Sequence, residues 1–202
     1  MISGLTADSV LEIPTLGPRP AVRKAEMRDI HPILDLINSY AAKGIMLPRT
    51  EFDLSENIRD FSVAYQDDRL AGCGALHFYS PLMAEIRSLA VAEEALTRGV
   101  GRLLIEALVE EAQKFALSAV FAFTYVPGFF ARMQFQQVER GELPLKAWKD
   151  CLRCPKFHSC DEIAVVRVLA PDRWMPHHPE QSIGLKEEVL VQFPTIKQHL
   201  VY

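Results

Sequence analysis

The chain has 202 residues, of which 49% are hydrophobic and 24% charged, with a formal net charge of −4. That composition supports one globular domain with extensions and excludes a disordered polyelectrolyte. The acidic balance argues against general nucleic-acid binding, which relies on a basic surface. No apolar run approaches the ~20 residues of a membrane span, so neither nucleic acid nor membrane is an expected partner. The first residues place no basic stretch ahead of an apolar one, so no signal peptide is expected. Four cysteines without a secretory signal point to a reducing, cytoplasmic setting. Cysteine clusters there are more often metal-binding or catalytic than disulfide-bonded.

Residues 1–20 hold three prolines and read as a loosely held arm. Residues 21–25, AVRKA, read as a first strand. Asp29 then precedes Ile30, Ile33, Leu34, Leu36, Ile37, Tyr40 and Ala41, a helical spacing with an N-cap and Pro32 in the first turn. Gly44 and Pro48 end it, and a short helix is expected over 54–60 with Asp53 as its cap. Strand patterns at 61–65 and 70–79 flank QDDR, a hairpin signal. A third strand is expected over 85–91. A long helix follows over 99–115, with Leu103, Leu104, Ala107, Leu108, Ala112 and Phe115 on one face. Residues 119–125 and 163–169 read as further strands. Residues 170–202 have four prolines and little period, and read as a C-terminal extension. Antiparallel strands followed by a helix and more strands indicate an α/β or α+β domain on a mixed sheet, spanning 21–169.

The strongest chemical signal is EIRSLAVAEEALTRGVGRLLIEALVEEA, residues 85–112. A strand ends at Val91, and RGVGR opens the long helix. Glycines there let a ligand approach the backbone. The first amides of a helix lack partners within it, and the helix dipole favours negative charge, so a phosphate group fits. A glycine pair at a strand-to-helix turn is as often simple tight packing. Cys73, in LAGCGAL, reads as a buried small hydrophobe rather than a nucleophile. His177 and His178 read as surface residues.

This order of segments resembles the GNAT superfamily of acyl-CoA-dependent N-acetyltransferases over residues 21–169. The resemblance implies a mixed, mostly antiparallel sheet with a splayed central strand pair, flanked by helices. It also implies acetyl-CoA as cosubstrate. By this resemblance Leu89, Ala90 and Val91 pair with the pantetheine arm, and Arg98, Gly99, Val100, Gly101 and Arg102 hold the pyrophosphate. Two glycines common in the family are replaced. Thr97 stands at one position, and Gln134-Phe135 replaces the family's Gly-Phe pair. Leu96 replaces the usual Arg or Gln. The blocks LPRTEFDLSENIRDF, AEIRSLAV, VFAFTYVPGFFARMQF and LPLKAWKDCLRCPKFHSCDEIAVVRVL narrow the likeness. They resemble the short, stand-alone N-acetylglutamate synthases of bacterial arginine biosynthesis, with L-glutamate as acceptor.

Acetyl transfer needs a neutral amine, so a carboxylate must take its proton. The resemblance places that base at Glu85, with a solvated strand end as the competing reading. The oxyanion of the tetrahedral intermediate would be held by a backbone amide near Leu89 or Ala90. Many family members protonate the leaving thiolate with a tyrosine on the helix after the 119–125 strand. Phe130 stands there in this chain, so that either Tyr125 or Tyr79 replaces the tyrosine or the thiolate leaves without an acid. Two glutamate carboxylates call for arginine. Arg49 in LPRT matches an arginine of the synthase pattern, and Arg87, by period two, faces the same side as Glu85. Lys146 and Lys149 are weaker candidates.

Residues 149–160, KDCLRCPKFHSC, bring Cys151, Cys154 and Cys160 together. With His158 or Asp161 they would complete a tetrahedral zinc site. A Cys-x-x-Cys redox pair or one disulfide are the alternatives. The resemblance places this segment on the acceptor side of the active site, as a loop shaping the pocket. Competing functions are an acetyltransferase for another amine, a non-catalytic acetyl-CoA-binding module and a zinc-binding adaptor. The sequence leaves the oligomeric state open, with a homodimer among the expectations.

Overall fold

The computed structural model describes residues 20–143, 156 and 159–174. The elements run β1 (Ala21–Lys24), α1 (Ile30–Ala41), α2 (Glu51–Asn57), β2 (Phe61–Gln66), β3 (Arg69–Phe78), β4 (Met83–Val91), α3 (Val100–Lys114), β5 (Ala119–Thr124), α4 (Pro127–Arg132), β6 (Gln136–Gln137) and β7 (Ile163–Val168). The strands form one mixed sheet in the order β1-β2-β3-β4-β5-β7-β6. The chain divides into two compact units, Met1–His77 with Ile86–Phe115, and Phe78–Glu85 with Ala116–Tyr202. The expected arm, apart from Pro20, and the extension beyond Trp174 lie outside the described residues.

In the first unit, β1, β2 and β3 are antiparallel neighbours. The β2–β3 hairpin turns on Asp67 and Asp68, at φ 50 and 58. Two consecutive positive φ values match the twist of the flanking strands, and aspartate tolerates them better than most side chains. Ile30, Ile33 and Ile37 of α1 and Leu54 of α2 pack with Phe61, Val63, Cys73, Ala75 and Ala90. Asp29 precedes α1 but gives no side-chain cap to it. Its buried carboxylate instead accepts both Arg23 guanidinium nitrogens at 2.6 and 2.9 Å, the Tyr65 hydroxyl at 2.9 Å and the Glu26 amide at 2.7 Å. The Arg23 bond leads in holding this carboxyl down at about 2, against 3.8 for a free aspartate.

On α3 the buried residues are Val100, Leu104, Ile105, Leu108, Val109 and Ala112. This face is rotated from the expected one. Phe115, beyond the last turn, is 59% exposed. Gly72 and Gly74 of β3 lie beneath α3. A methyl group added at Gly72 would sit 2.9 Å from the Ala90 carbonyl oxygen and 3.0 Å from Leu104 and Val100 side-chain carbons. The helix can lie this close only because β3 has no side chain there.

α2 starts at Glu51, three residues before the sequence pattern suggests. Thr50 is its cap, and Asp53 sits one turn inside. Thr50 Oγ1 accepts from the Asp53 amide at 3.1 Å, and Asp53 Oδ2 accepts from the Thr50 amide at 3.1 Å. This reciprocal pair satisfies donors that a helix start otherwise leaves open. The last part of the helix expected over 54–60 is a separate 3₁₀ turn, Ile58–Asp60.

In the second unit, β4 runs parallel to β5, with Met83, Ala84 and Glu85 opposite Ala119, Val120 and Phe121. β5 pairs with β7 along its whole length, and β7 with β6. Met83, Phe121, Leu143, Ala164 and Val166 form the core. α4 and β6 gave no independent pattern in the sequence. α4 is six residues beginning at Pro127, and β6 is two.

Candidate active site

The cofactor-side residues lie in the first unit. Leu89, Ala90 and Val91 form the last part of β4. The Val91 carbonyl accepts the Tyr40 hydroxyl of α1 at 2.6 Å, which ties the strand end to that helix. Beyond it, Thr97 has φ 70 and Gly99 φ 80. Gly99 is the N-cap of α3, and no side chain caps it. The amides of Val100, Gly101 and Arg102 therefore begin the helix ahead of its internal bonds, the arrangement an anionic phosphate group uses. Arg98 is exposed. Arg102 Nε donates to Glu106 Oε1 at 2.7 Å on the exposed side of α3, so its charge is shared along the helix.

Arg49 and Arg87 converge. They line one small cleft with Asp53, Leu54, Asn57 and Phe61. Arg49 immediately precedes the α2 cap, and Arg87 lies on β4. What aims Arg87 is Ser88, at φ 51. In an unbroken strand, Arg87 would share a face with Leu89 and Val91. Those two pack on the α3 side with Leu104 and Val100. Arg87 instead faces the side of Leu54 and Phe61. Ser88 turns the alternation over, as an irregularity in one strand does.

In the second unit, Glu85 is 8% exposed. It lies inside β4, which starts at Met83, so the solvated-end reading fails. Its Oε2 accepts the Tyr79 hydroxyl at 2.9 Å. Tyr79 in turn packs on Phe121, ring centroids 5.7 Å apart. Tyr79 is thus committed to orienting Glu85. Phe130 is buried and packs edge-on against Phe129 and Phe135, at 5.4 and 5.2 Å. The position that carries a tyrosine in the family is a core position here. Tyr125 is 37% exposed. Lys156 Nζ donates to its hydroxyl at 3.3 Å and lies 3.5 Å from Asp161. Burial pushes the Tyr125 hydroxyl above its ordinary value of 10, with Lys156 opposing.

Of the cysteine cluster, Cys151 and Cys154 lie outside the described residues, as do His158, Lys146 and Lys149. Cys160 Sγ accepts from Arg140 at 3.0 Å and lies 3.8 Å from Glu162 Oε2. Arg140 also donates to the Glu162 carbonyl. Burial raises the Glu162 carboxyl, with Arg140 opposing. Among the described residues no group of three or more His, Cys, Asp or Glu side chains is placed to hold a metal ion. Cys73 is fully buried, and burial pushes its thiol up to about 12, as expected of an inert core residue.

A mixed sheet, an αL glycine at the uncapped start of α3 and a buried carboxylate within β4 are features in keeping with an acyl transferase. The acetyltransferase (GNAT) family profile matches residues 27–135, and the chain belongs to that family. It is an N-acetyltransferase.

Among its relatives, an uncharacterized N-acetyltransferase of Chlorobaculum tepidum is 43% identical over 148 residues, 73% of this chain and 96% of that protein. The amino-acid acetyltransferase of Mycobacterium tuberculosis is 36% identical over 60% of this chain and 71% of its own. The N-acetylglutamate synthase of Neisseria gonorrhoeae, solved with coenzyme A and N-acetyl-glutamate, superposes with a TM-score of 0.68 at 30% identity. That match covers 74% of this chain and 35% of the synthase, so the chain spans about a third of that protein's length. No described helix is long and apolar enough to cross a membrane.

Proposed function

We propose that the chain transfers the acetyl group of acetyl-CoA to the α-amino group of L-glutamate, the first step of arginine biosynthesis. The observation that carries this reading is the convergence of Arg49 and Arg87 on one cleft. Two guanidinium groups suit an acceptor with two carboxylates, and each can hold a carboxylate in a bidentate pair. Glu85 removes the proton from the glutamate ammonium. The neutral amine attacks the thioester carbonyl carbon. The oxyanion is held by a backbone amide near Leu89 or Ala90. The C–S bond then breaks, the thiolate takes a proton from Tyr125, and the second proton shed by the nitrogen as the amide forms restores the Tyr125 hydroxyl through solvent, while Glu85 releases its own to water. The pantetheine pairs with Leu89, Ala90 and Val91. The pyrophosphate sits on Gly99, Val100 and Gly101, with Arg98 and Arg102 adding charge.

The test is an acetyl-CoA thiol-release assay with glutamate, glutamine, aspartate and a polyamine side by side. Glutamate is expected to give the highest kcat/KM. Turnover confined to the polyamine would overturn the reading.

A further inference from the structure

Arg49 is held in place by its own backbone. The side-chain amide of Asn38, in the last turn of α1, donates from Nδ2 to the Arg49 carbonyl at 3.0 Å. Its Oδ1 accepts from the Arg49 amide, also at 3.0 Å. The asparagine therefore stands in for a strand partner, satisfying both polar groups of one residue across an eleven-residue separation. The next residue, Thr50, is fixed independently by its reciprocal bonds with Asp53. Arg49 is thus held between two anchors, one on α1 and one on α2.

We infer that Asn38 is a positioning residue for the acceptor: it holds the Arg49 backbone so that the guanidinium meets an acceptor carboxylate in the cleft shared with Arg87. The inference rests on the glutamate reading of that cleft. An arginine on a free loop would have to be ordered each time substrate binds, and that ordering weakens affinity. A pre-held backbone removes most of the cost, leaving only the side chain to settle. Asparagine is the side chain that can serve here. Aspartate has no donor for the carbonyl, and leucine has neither group. The neighbouring Tyr40 marks a separate task on the same helix, since its hydroxyl goes to Val91 at the cofactor strand. Asn38 therefore governs the acceptor side, and loss of its amide leaves the cofactor side intact.

The experiment is a steady-state comparison of wild type, Asn38→Ala, Arg49→Ala and the double variant, varying glutamate and acetyl-CoA separately. Losing two hydrogen bonds to one backbone residue is expected to raise the glutamate KM about tenfold, with the acetyl-CoA KM and kcat changed less than about twofold. On the Arg49→Ala background the same substitution is expected to have almost no further effect on the glutamate KM, because its target is gone. A general loss of structure would move both Michaelis constants and would add to Arg49→Ala. Asn38→Asp, which keeps the acceptor for the Arg49 amide and loses only the donor to its carbonyl, replaces Asn38→Ala if the latter fails to fold, with a smaller rise of the glutamate KM, about threefold, expected and the acetyl-CoA KM again unchanged. An unchanged glutamate KM in an enzyme that turns over glutamate would overturn the inference alone. Turnover confined to amines without carboxylates would overturn the glutamate reading and this inference with it.

Discussion

Tyr79 donates its hydroxyl to Glu85 at 2.9 Å, and its ring rests on Phe121. The bond orients a buried carboxylate. Glu85→Gln removes the proton acceptor without changing the side-chain shape. It is expected to lower kcat by about 10²–10⁴ while the acetyl-CoA KM holds. Tyr79→Phe keeps the ring and loses one hydrogen bond, and is expected to lower kcat by about tenfold. Steady-state kinetics on both variants checks the pair, and an unaltered kcat in Glu85→Gln would remove the residue from the mechanism.

Gly72 is the floor on which α3 rests. Gly72→Ala forces a methyl group against the Ala90 carbonyl and the Val100 and Leu104 side chains. Overpacking of this kind costs about 1–3 kcal/mol. Urea unfolding should show that loss. Gly141→Ala, where an added methyl meets nothing within 4 Å, should change stability by less than about 0.5 kcal/mol.

Thr97 and Gln134 have φ 70 and 66, in the left-handed region. Both stand where the family commonly has glycine, and both therefore carry the backbone cost that glycine avoids. Gln134 follows α4, and its amide donates to Ala131 at 3.1 Å, the helix-ending geometry that favours glycine. Thr97→Gly and Gln134→Gly are each expected to stabilise the fold by about 1 kcal/mol, measured by thermal or chemical unfolding. No gain in either would mean the left-handed turns are already compensated locally.

The Arg23–Asp29 pair links stability to acid. Asp29 titrates at about 2 when folded and near 3.8 when free. Its folded value is depressed, so its contribution is fully present above pH 4. It is lost as pH falls toward 2. The linked free energy is roughly 2 kcal/mol. Comparing wild type with Asp29→Asn by urea unfolding at pH 5 and again near pH 2 isolates it, because other carboxylates cancel. The stability gap between the two proteins is expected to shrink by that amount as pH falls, and a constant gap would contradict the assignment.

The long periodic elements were legible in the sequence. Ile30, Ile33 and Ile37 marked α1, and QDDR marked the hairpin. The helix start within RGVGR, expected at 99, lies at Val100. The errors lay where a polar group or a backbone twist overrides pattern. Thr50 and Asp53 begin α2 early because their reciprocal bonds nucleate it, and apolar spacing does not register that. Asp29 looked like a cap because of its position, yet its carboxylate is taken by Arg23 and Tyr65, which arrive from other strands. Arg49 is legible through its match to the synthase pattern and Arg87 through its period-two relation to Glu85, but their shared cleft depends on Ser88, whose φ no composition rule anticipates. Asn38 gave no signal at all, since one asparagine in a helix is unremarkable until the Arg49 backbone folds back onto it. A capping motif read at T-x-x-D would have corrected α2.

The turn at Ser88 makes the backbone conformation of that residue matter more than its side chain. Upstream of it the strand reads in one frame, and downstream in the other. Another side chain at position 88 that accepts φ near 51 would keep both frames. A residue held there in ordinary extended backbone would return the strand to simple alternation and carry the Arg87 guanidinium into the apolar layer that Leu89 and Val91 share beneath α3. Deleting the residue would instead make Arg87 and Leu89 adjacent, on opposite faces, so the two frames survive without it.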